Sequence, residues 1–184
     1  MNDMDLAFFP IVDGVYFYLI VFDLKNPSIT IIDNRVWKSA NEEAVMNRYK
    51  HVSDVLQHIM VTHLISVGHG AAREMSEVTP VRVAMAWQTY HNAYDSGIFL
   101  MRHMETYMGD IKSWKTGFDP EGQSQQTQLH DLKKKYATKM IKHKQNFMKG
   151  VMLAEVKEFH SLDNKIRAHF LRQANDSRWE RIIY

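Results

Sequence analysis

The sequence predicts an α+β fold in which a small mixed sheet is packed by helices and long helices follow towards the C-terminus. Three observations support this prediction. Aromatic and β-branched residues form two short runs near the N-terminus, apolar residues recur at helical spacing from residue 41 onward, and one alternating segment lies between the helical segments. With 45% hydrophobic residues in a chain of 184, this order is typical of a globular α+β domain.

The N-terminal part of the chain predicts a β-hairpin. Leu6–Ile11 is a short apolar run, and Tyr16–Leu24 is rich in the aromatic and β-branched residues of a buried strand. A turn signal, Asn-Pro-Ser, occupies residues 26–28, after which Ser28–Asp33 resumes with isoleucines. A second strand is therefore expected beside the first, and it ends in an acidic residue.

Helical spacing begins just before the middle of the chain. Ser39 is followed three residues later by Glu42, which is a capping-box pattern, and the apolar residues beyond it predict a helix over about residues 41–65. Residues Val81–Trp87 then alternate between apolar and other residues, which favours a strand.

Three further helices are expected after residue 97. Ile98–Met108 has apolar residues at helical spacing, and Met101 and Met104 are predicted to lie in its buried face. Leu129–Lys149 and Val151–Gln173 are amphipathic and each predicts one long helix.

Charge is distributed unevenly along the chain. Residues 1–132 carry 10 Lys/Arg against 16 Asp/Glu, a balance of −6, whereas residues 133–184 carry 13 against 5, a balance of +8. We expect one domain over residues 1–125, followed by a basic helical extension over 126–184. Such an extension is usually a solvated helix face, and its alternative role is to bind nucleic acid or acidic partners.

The composition excludes several classes of protein. The chain contains no cysteine, which removes disulfides, thiolate metal sites and thiol catalysis together. The longest apolar runs are far shorter than the ~20 residues of a membrane span, so no membrane partner is expected. Residues 1–5 are acidic and resemble no secretory signal, which predicts an intracellular protein of the nucleus or cytoplasm.

Histidines near the middle of the chain do not predict a metal site. His51, His58 and His63 lack HEXXH spacing and have no matching acidic pair, so they are expected to lie on a helix surface. No metal or other cofactor is predicted.

Four motifs occur in order within residues 5–110, and each falls at a place in the predicted fold where a site could form. Alone, each motif would be weak, but their order and their agreement with the predicted elements make the combination specific. The motifs are Phe9–Ile11 (FPI) followed by Tyr16–Lys25 (YFYLIVFDLK), then Ile31–Asn34 (IIDN), Trp87–Thr89 (WQT) and Asn92–Tyr107 (NAYDSGIFLMRHMETY).

Together these motifs resemble the catalytic domain of the cysteine proteases specific for SUMO and related ubiquitin-like modifiers. The similarity is greatest to the divergent copies that are abundant in plant genomes, often within transposable elements. The resemblance implies a cysteine-peptidase-like α+β fold and an ancestral activity that cleaves after the Gly-Gly terminus of a modifier. In that family a His-Trp pair begins the first motif and Asp-Cys-Gly stands in the fourth. The resemblance also implies that the N-terminal part of the family's domain is absent here.

The resemblance assigns an ancestral role to four residues. Asp33, which lies 17 residues after Tyr16, matches the aspartate that orients the catalytic histidine, and Tyr16 stands in the place of that histidine. Ser96 stands in the place of the nucleophilic cysteine. Gln88 matches the glutamine of the oxyanion site in type, but it lies eight residues before Ser96, a longer step than is usual. Either a bulge compensates for this step or the glutamine is not the equivalent residue.

These substitutions predict that catalysis is lost. Serine is far harder to ionise than cysteine and depends more strongly on a base. A tyrosine at position 16 has an ordinary pKa near 10 and offers no second nitrogen for Asp33 to orient. Loss of several members of a triad leaves only the residual catalysis that comes from binding.

Three functional hypotheses remain open at the level of the sequence. The first is an inactive peptidase domain that still binds a ubiquitin-like modifier. The second is a non-enzymatic module whose basic helices over residues 133–184 bind nucleic acid or acidic partners. The third is an active serine variant, for which His91 is the nearest candidate base with Asp33 or Asp95 as its partner, and His103 is another nearby histidine.

Overall fold

The computed structural model of the protein describes residues 5–38, 41–90, 92 and 94–180, with side chains through residue 174. The chain forms two compact units, Met1–Leu132 and Lys133–Tyr184. The first unit contains a four-stranded mixed sheet with helices, and the described part of the second is helical. The predicted α+β fold class, with a small mixed sheet and long C-terminal helices, is confirmed.

The sheet has its strands in the order β1-β2-β3-β4. The first three strands run antiparallel to their neighbours, and β4 is parallel to β3. The strands are β1 (Leu6–Asp13), β2 (Tyr16–Asp23), β3 (Ser28–Ile32) and β4 (Val81–Arg82).

The predicted hairpin of β2 and β3 is confirmed. Leu19 pairs with Ile32 and Asp23 with Ser28. The Asp23 carboxylate closes the turn by accepting hydrogen bonds from the backbone N–H groups of Lys25 and Asn26, at 3.0 and 2.9 Å. The first strand extends two residues beyond the apolar run Leu6–Ile11, to Asp13. It is an edge strand, so it can include Pro10, which donates no hydrogen bond.

Helices cover both faces of the sheet in the first unit. Residues of β2 are buried on both sides, because Ile20 and Phe22 pack with α1 and α2 whereas Leu19 and Val21 pack with α3. The sheet is therefore the central layer of the unit. The helices of this unit are α1 (Glu42–Ser66), α2 (Ala72–Glu77), α3 (Ser96–Thr106) and the start of α4 (Gln123–Lys142).

The first helix confirms the prediction for residues 41–65, but its cap is a different residue. The side chain of Asn41 accepts a hydrogen bond from the backbone N–H of Glu43 at 2.9 Å. The predicted cap, Ser39, lies outside the described residues. An asparagine in this position satisfies a backbone donor that the helix itself leaves unpaired.

The prediction of a strand over Val81–Trp87 is wrong for most of its length. Only two residues pair with β3, and the ladder ends when the backbone N–H of Val83 bonds to Ile31 O at 2.9 Å. A turn follows, in which the Gln88 side chain accepts from the backbone N–H of Met85. The alternating pattern reflects burial of Val83 and Met85 beneath α3 rather than an extended ladder.

The third helix begins and ends two residues earlier than predicted. Its buried face is formed by residues three or four apart, as helical geometry requires. The prediction that Met104 lies in the core is wrong, since it is 39% exposed, and Met101 is only half-buried. The face is rotated towards the histidine between them, and it consists of Ser96, Phe99, Leu100 and His103, followed by Tyr107 just beyond the helix.

The two long C-terminal helices that the sequence predicted are three helices in the structure, α4, α5 (Lys149–Ser161) and α6 (Asn164–Glu180). The first break follows residue 142, where the Asn146 side chain donates to the carbonyls of Met140 and Ile141. These bonds satisfy carbonyls at the end of a helix, so they stop it before residue 149.

The second break falls inside the predicted Val151–Gln173 helix. Leu162 is extended, with ψ at 150°, and the Asp163 carboxylate accepts from the backbone N–H of Lys165 at 2.8 Å. Aspartate at such a position caps a new helix rather than continuing the old one. Within the described part of the chain, no helix combines the length and apolar character that crossing a bilayer would require.

Candidate functional site

Asp33 follows directly after β3 and its side chain is fully buried. One carboxylate oxygen accepts from the backbone N–H of Arg35 at 2.8 Å. The other accepts from Nε of the same residue at 2.8 Å and lies 2.8 Å from a terminal guanidinium nitrogen. The carboxylate therefore forms a buried ion pair with a residue only two positions along the chain, and two guanidinium nitrogens contact the same carboxylate oxygen.

A tyrosine from α1 completes the partners of this carboxylate. The Tyr49 hydroxyl donates to Asp33 Oδ2 at 2.6 Å and accepts from the indole N–H of Trp37 at 2.7 Å. Burial raises the pKa of the Tyr49 hydroxyl, and the negative charge of Asp33 raises it further. Tyr49 is consequently a neutral donor, and it orders the carboxylate without exchanging a proton with it.

Arg35 is the centre of the cluster and was not predicted from the sequence. Besides Asp33 it binds Asp13, with 3.0 Å between the guanidinium and the carboxylate. Burial alone would lower the pKa of Arg35, but its hydrogen bond and attraction to Asp33 outweigh that effect and raise the pKa. The guanidinium is therefore a permanent cation next to the predicted catalytic aspartate.

Tyr16 lies beneath the same guanidinium. The Arg35 guanidinium carbon is 4.5 Å from the centre of the Tyr16 ring, a cation–π contact. Burial raises the pKa of the Tyr16 hydroxyl, an effect that the nearby Arg35 partly opposes. A neutral phenol stacked on a cation has no free basic atom near neutral pH, so Tyr16 does not replace a histidine base.

Gln88 is joined to Asp33 through the backbone. Its amide nitrogen donates to Asp33 O at 2.9 Å and to Arg35 O at 3.3 Å. Its amide oxygen accepts from the backbone N–H of Met85 at 3.2 Å. Both ends of the side chain therefore bond the backbone, the nitrogen to the segment after β3 and the oxygen to the segment after β4.

Ser96 is the first residue of α3 and is 1% exposed. The backbone before it is shaped by Asn92, whose side chain bonds both the carboxylate and the backbone N–H of Asp95, at 2.9 and 3.1 Å. Asp95 in turn accepts the first backbone hydrogen bonds of the helix through its carbonyl oxygen. The hydroxyl thus lies where a helix dipole would favour a developing negative charge.

Two observations relate Ser96 to the other predicted residues. A Cβ placed on Gly97 would lie 3.8 Å from the Phe17 ring, so the start of α3 packs beside the start of β2. Tyr94, two residues before Ser96, also contributes to raising the pKa of Tyr16, after larger effects of burial, Arg35 and Asp33. The structure therefore joins Tyr16, Asp33 and Gln88 in one cluster around Arg35, and it places Ser96 on the helix that packs against the next residue of β2.

The histidines around Ser96 give no base in the described residues. His91 lies outside them. His103 is buried in a cage of aromatic rings, and its Nε2 accepts from the indole N–H of Trp87 at 3.1 Å. Burial lowers the pKa of His103 to about 3, so the imidazole is neutral and its proton is on Nδ1. Among the described residues, no group of three or more His, Asp or Glu side chains could hold a metal ion.

The ion pairs and hydrogen bonds of the cluster can stabilise the fold, but its described residues do not supply an activated nucleophile. At the positions for which the resemblance predicts a base, an orienting group and an oxyanion donor, the structure has a neutral phenol, an ion-paired carboxylate and a backbone-bound amide. Comparison with models of protein families, with curated proteins and with solved structures finds no match for this chain.

Proposed function

We propose that the chain is a degenerate ubiquitin-like-modifier protease domain that binds a modifier without cleaving it. The observation that carries this proposal is the ion pair between Asp33 and Arg35. The aspartate that should orient a histidine is bonded instead to a guanidinium and to Tyr49, at distances of 2.6–2.8 Å. The four sequence motifs and the α+β fold support the same interpretation.

Three separate changes would each impair hydrolysis. Serine at position 96 is a poorer nucleophile than cysteine, and tyrosine at position 16 offers no base. Arg35 adds a third obstacle that the motifs do not reveal, because it occupies the carboxylate that a restored histidine would need. Restoring only the nucleophile and the base is therefore expected to leave the protein inactive.

Turnover can be tested with the fluorogenic C-terminal amide of a SUMO-type modifier. In the presence of the wild-type chain or of Ser96→Ala, fluorophore is expected to be released no faster than from the substrate in buffer alone. The Tyr16→His/Ser96→Cys variant should also be inactive, whereas adding Arg35→Ser to that pair should give detectable release, since Asp33 is then free to orient the imidazole. Wild-type turnover that disappears in Ser96→Ala would overturn the proposal in favour of an active serine variant.

Binding can be tested separately from turnover. An immobilised modifier ending in Gly-Gly should retain the wild-type chain, and the same modifier truncated before Gly-Gly should retain less. Phe17→Ala is expected to weaken retention because Phe17, in β2, packs against Gly97 at the start of α3 and is 36% exposed. Val15→Ala is the matched control, since Val15 is 80% exposed in the neighbouring turn. If neither immobilised modifier retains the wild-type chain, modifier binding is removed from the proposal.

The second unit supports a different candidate function, a basic module for nucleic acid or acidic partners. Its residues 133–184 carry a balance of +8, and its helix α5 has no buried residue. Binding of the full chain to duplex DNA should then weaken steeply between low and physiological salt, because phosphate contacts release counterions. Binding that does not change with salt, or no binding at low salt, would exclude this candidate.

A further inference from the structure

A cleft of about 310 Å³ lies between the end of the β1–β2 hairpin and the first half of α1. Its apolar walls include Ile11, Val12 and Val52, and Trp37 supplies an aromatic face. None of the four predicted catalytic positions lines it. A volume of this size lies at the lower end of the range for small-molecule sites.

The cleft contains a cation, Arg48, that forms no ion pair with any carboxylate among the described residues. The Arg48 guanidinium carbon lies 4.3 Å from the centre of the Trp37 ring, and that of Arg35 lies 4.6 Å from the same centre. Arg35 is neutralised by Asp33 and Asp13, but none of the ion pairs among the described residues involves Arg48. Stacking on the indole holds the Arg48 guanidinium in place, and its donors are left for a ligand.

We propose that this cleft binds a small molecule that carries one carboxylate on an apolar body. The carboxylate would pair with Arg48, since a planar guanidinium matches its two oxygens. The body would lie against Trp37 and the aliphatic wall formed by Ile11, Val12 and Val52.

Asp13, in the same cleft as Arg48, disfavours ligands that carry more than one negative charge. Asp13 lines the same cleft and its side chain is 59% exposed. A ligand with a single negative charge matches the guanidinium of Arg48, whereas a phosphate with two charges would be repelled by Asp13. The cleft shares Arg35 and Tyr49 with the Asp33 cluster, but the proposed ligand contacts with Arg48 and Trp37 are independent of modifier binding.

The test is a titration of the ¹⁵N-labelled full chain with 4-phenylbutyrate, followed by the indole N–H signals. The Trp37 indole donates to Tyr49 beside the cleft, whereas the indoles of Trp87 and Trp114 donate to His103 and Thr106. We expect saturable movement of the Trp37 signal, identified by its loss in Trp37→Phe, and little movement of the Trp87 and Trp114 signals. The neutral amide, 4-phenylbutyramide, should bind about tenfold more weakly.

Three variants separate the proposed contact from general hydrophobic binding. Arg48→Gln should weaken binding of 4-phenylbutyrate by about tenfold, and Asp13→Asn should strengthen it by roughly threefold because a competing negative charge is removed. Arg73→Gln, which changes an exposed arginine on α2, should leave affinity unchanged.

Equal binding of the acid and the amide would overturn the proposal. So would equal effects of Arg48→Gln and Arg73→Gln, tighter binding of phenyl phosphate than of 4-phenylbutyrate, or saturable movement confined to indoles other than that of Trp37.

Discussion

Acid should destabilise the first unit through one buried histidine. His103 is surrounded by the rings of Phe99, Trp87 and Trp114, and burial lowers its pKa from the ordinary 6.5 to about 3. The unfolded chain therefore binds a proton below pH 6.5 that the folded chain does not bind until about pH 3. The free energy of unfolding must fall as the pH decreases through this window, and His103 contributes no such penalty above it.

The size of the effect follows from the two pKa values. Between pH 7 and pH 4.5, the protonation difference at His103 lowers the free energy of unfolding by about 2.5 kcal/mol, at 1.36 kcal/mol for each unit of pH below 6.5. Other titrating groups also change stability over this range, so the wild type alone is not sufficient. His103→Gln is the matched variant, since glutamine can accept the Trp87 N–H without gaining a charge.

The assay is denaturant unfolding at pH 7 and pH 4.5, followed by near-ultraviolet circular dichroism. Trp87 and Trp114, whose rings are 5.1 Å apart, contribute to that signal. The wild type should lose about 2.5 kcal/mol more than His103→Gln when the pH is lowered. Equal losses in the two proteins would refute the conclusion that the imidazole is held neutral in the core.

Three further predictions concern the Asp33 cluster and the first turn. Asp33→Asn should lower the free energy of unfolding by about 3 kcal/mol, because Arg35 loses its buried partner; a loss below 1 kcal/mol in denaturant unfolding would contradict this. Tyr49→Phe should cost about 1.5 kcal/mol in the same assay by removing one donor to a charged acceptor, and no change would show that the bond is dispensable. Gly14→Ala should cost about 1 kcal/mol, since φ is +62° there, while Gly70→Ala serves as the control; equal melting temperatures would exclude strain at Gly14.

Local sequence signals were sufficient where neighbours in the chain determine the structure. The hairpin of β2 and β3 follows from two apolar runs joined by a turn, and Asp23 closes that turn with bonds to residues two and three positions away. The first helix was likewise predictable from its spacing. Its cap was not, because Ser39 and Asn41 are both suitable capping residues and the sequence offers no measure of which one the backbone uses.

Features that depend on distant residues were not predictable in this way. Val83 and Met85 alternate because they are buried beneath α3, which is indistinguishable in sequence from a strand. His103 lies on the buried face because Trp87, 16 residues away, supplies its hydrogen bond.

The burial of Arg35 was not predictable from the sequence for a related reason. A charged residue immediately after a strand is usually solvated, and its burial requires Asp33, Asp13 and Tyr16 to meet in three dimensions. An arginine two residues after a predicted catalytic aspartate was the one signal that could have indicated the ion pair.

The ion pair between Asp33 and Arg35 gives this aspartate a structural role that does not depend on any catalytic activity. An acidic side chain that anchors the interior is retained by selection for folding, whether or not any reaction depends on it. Under the proposed function, Asp33 would contribute to stability whether or not residues 16 and 96 support hydrolysis, because its partners are Arg35 and Tyr49. The acidic residue at this position therefore indicates a buried ion pair, and it is not by itself a sign of a working enzyme.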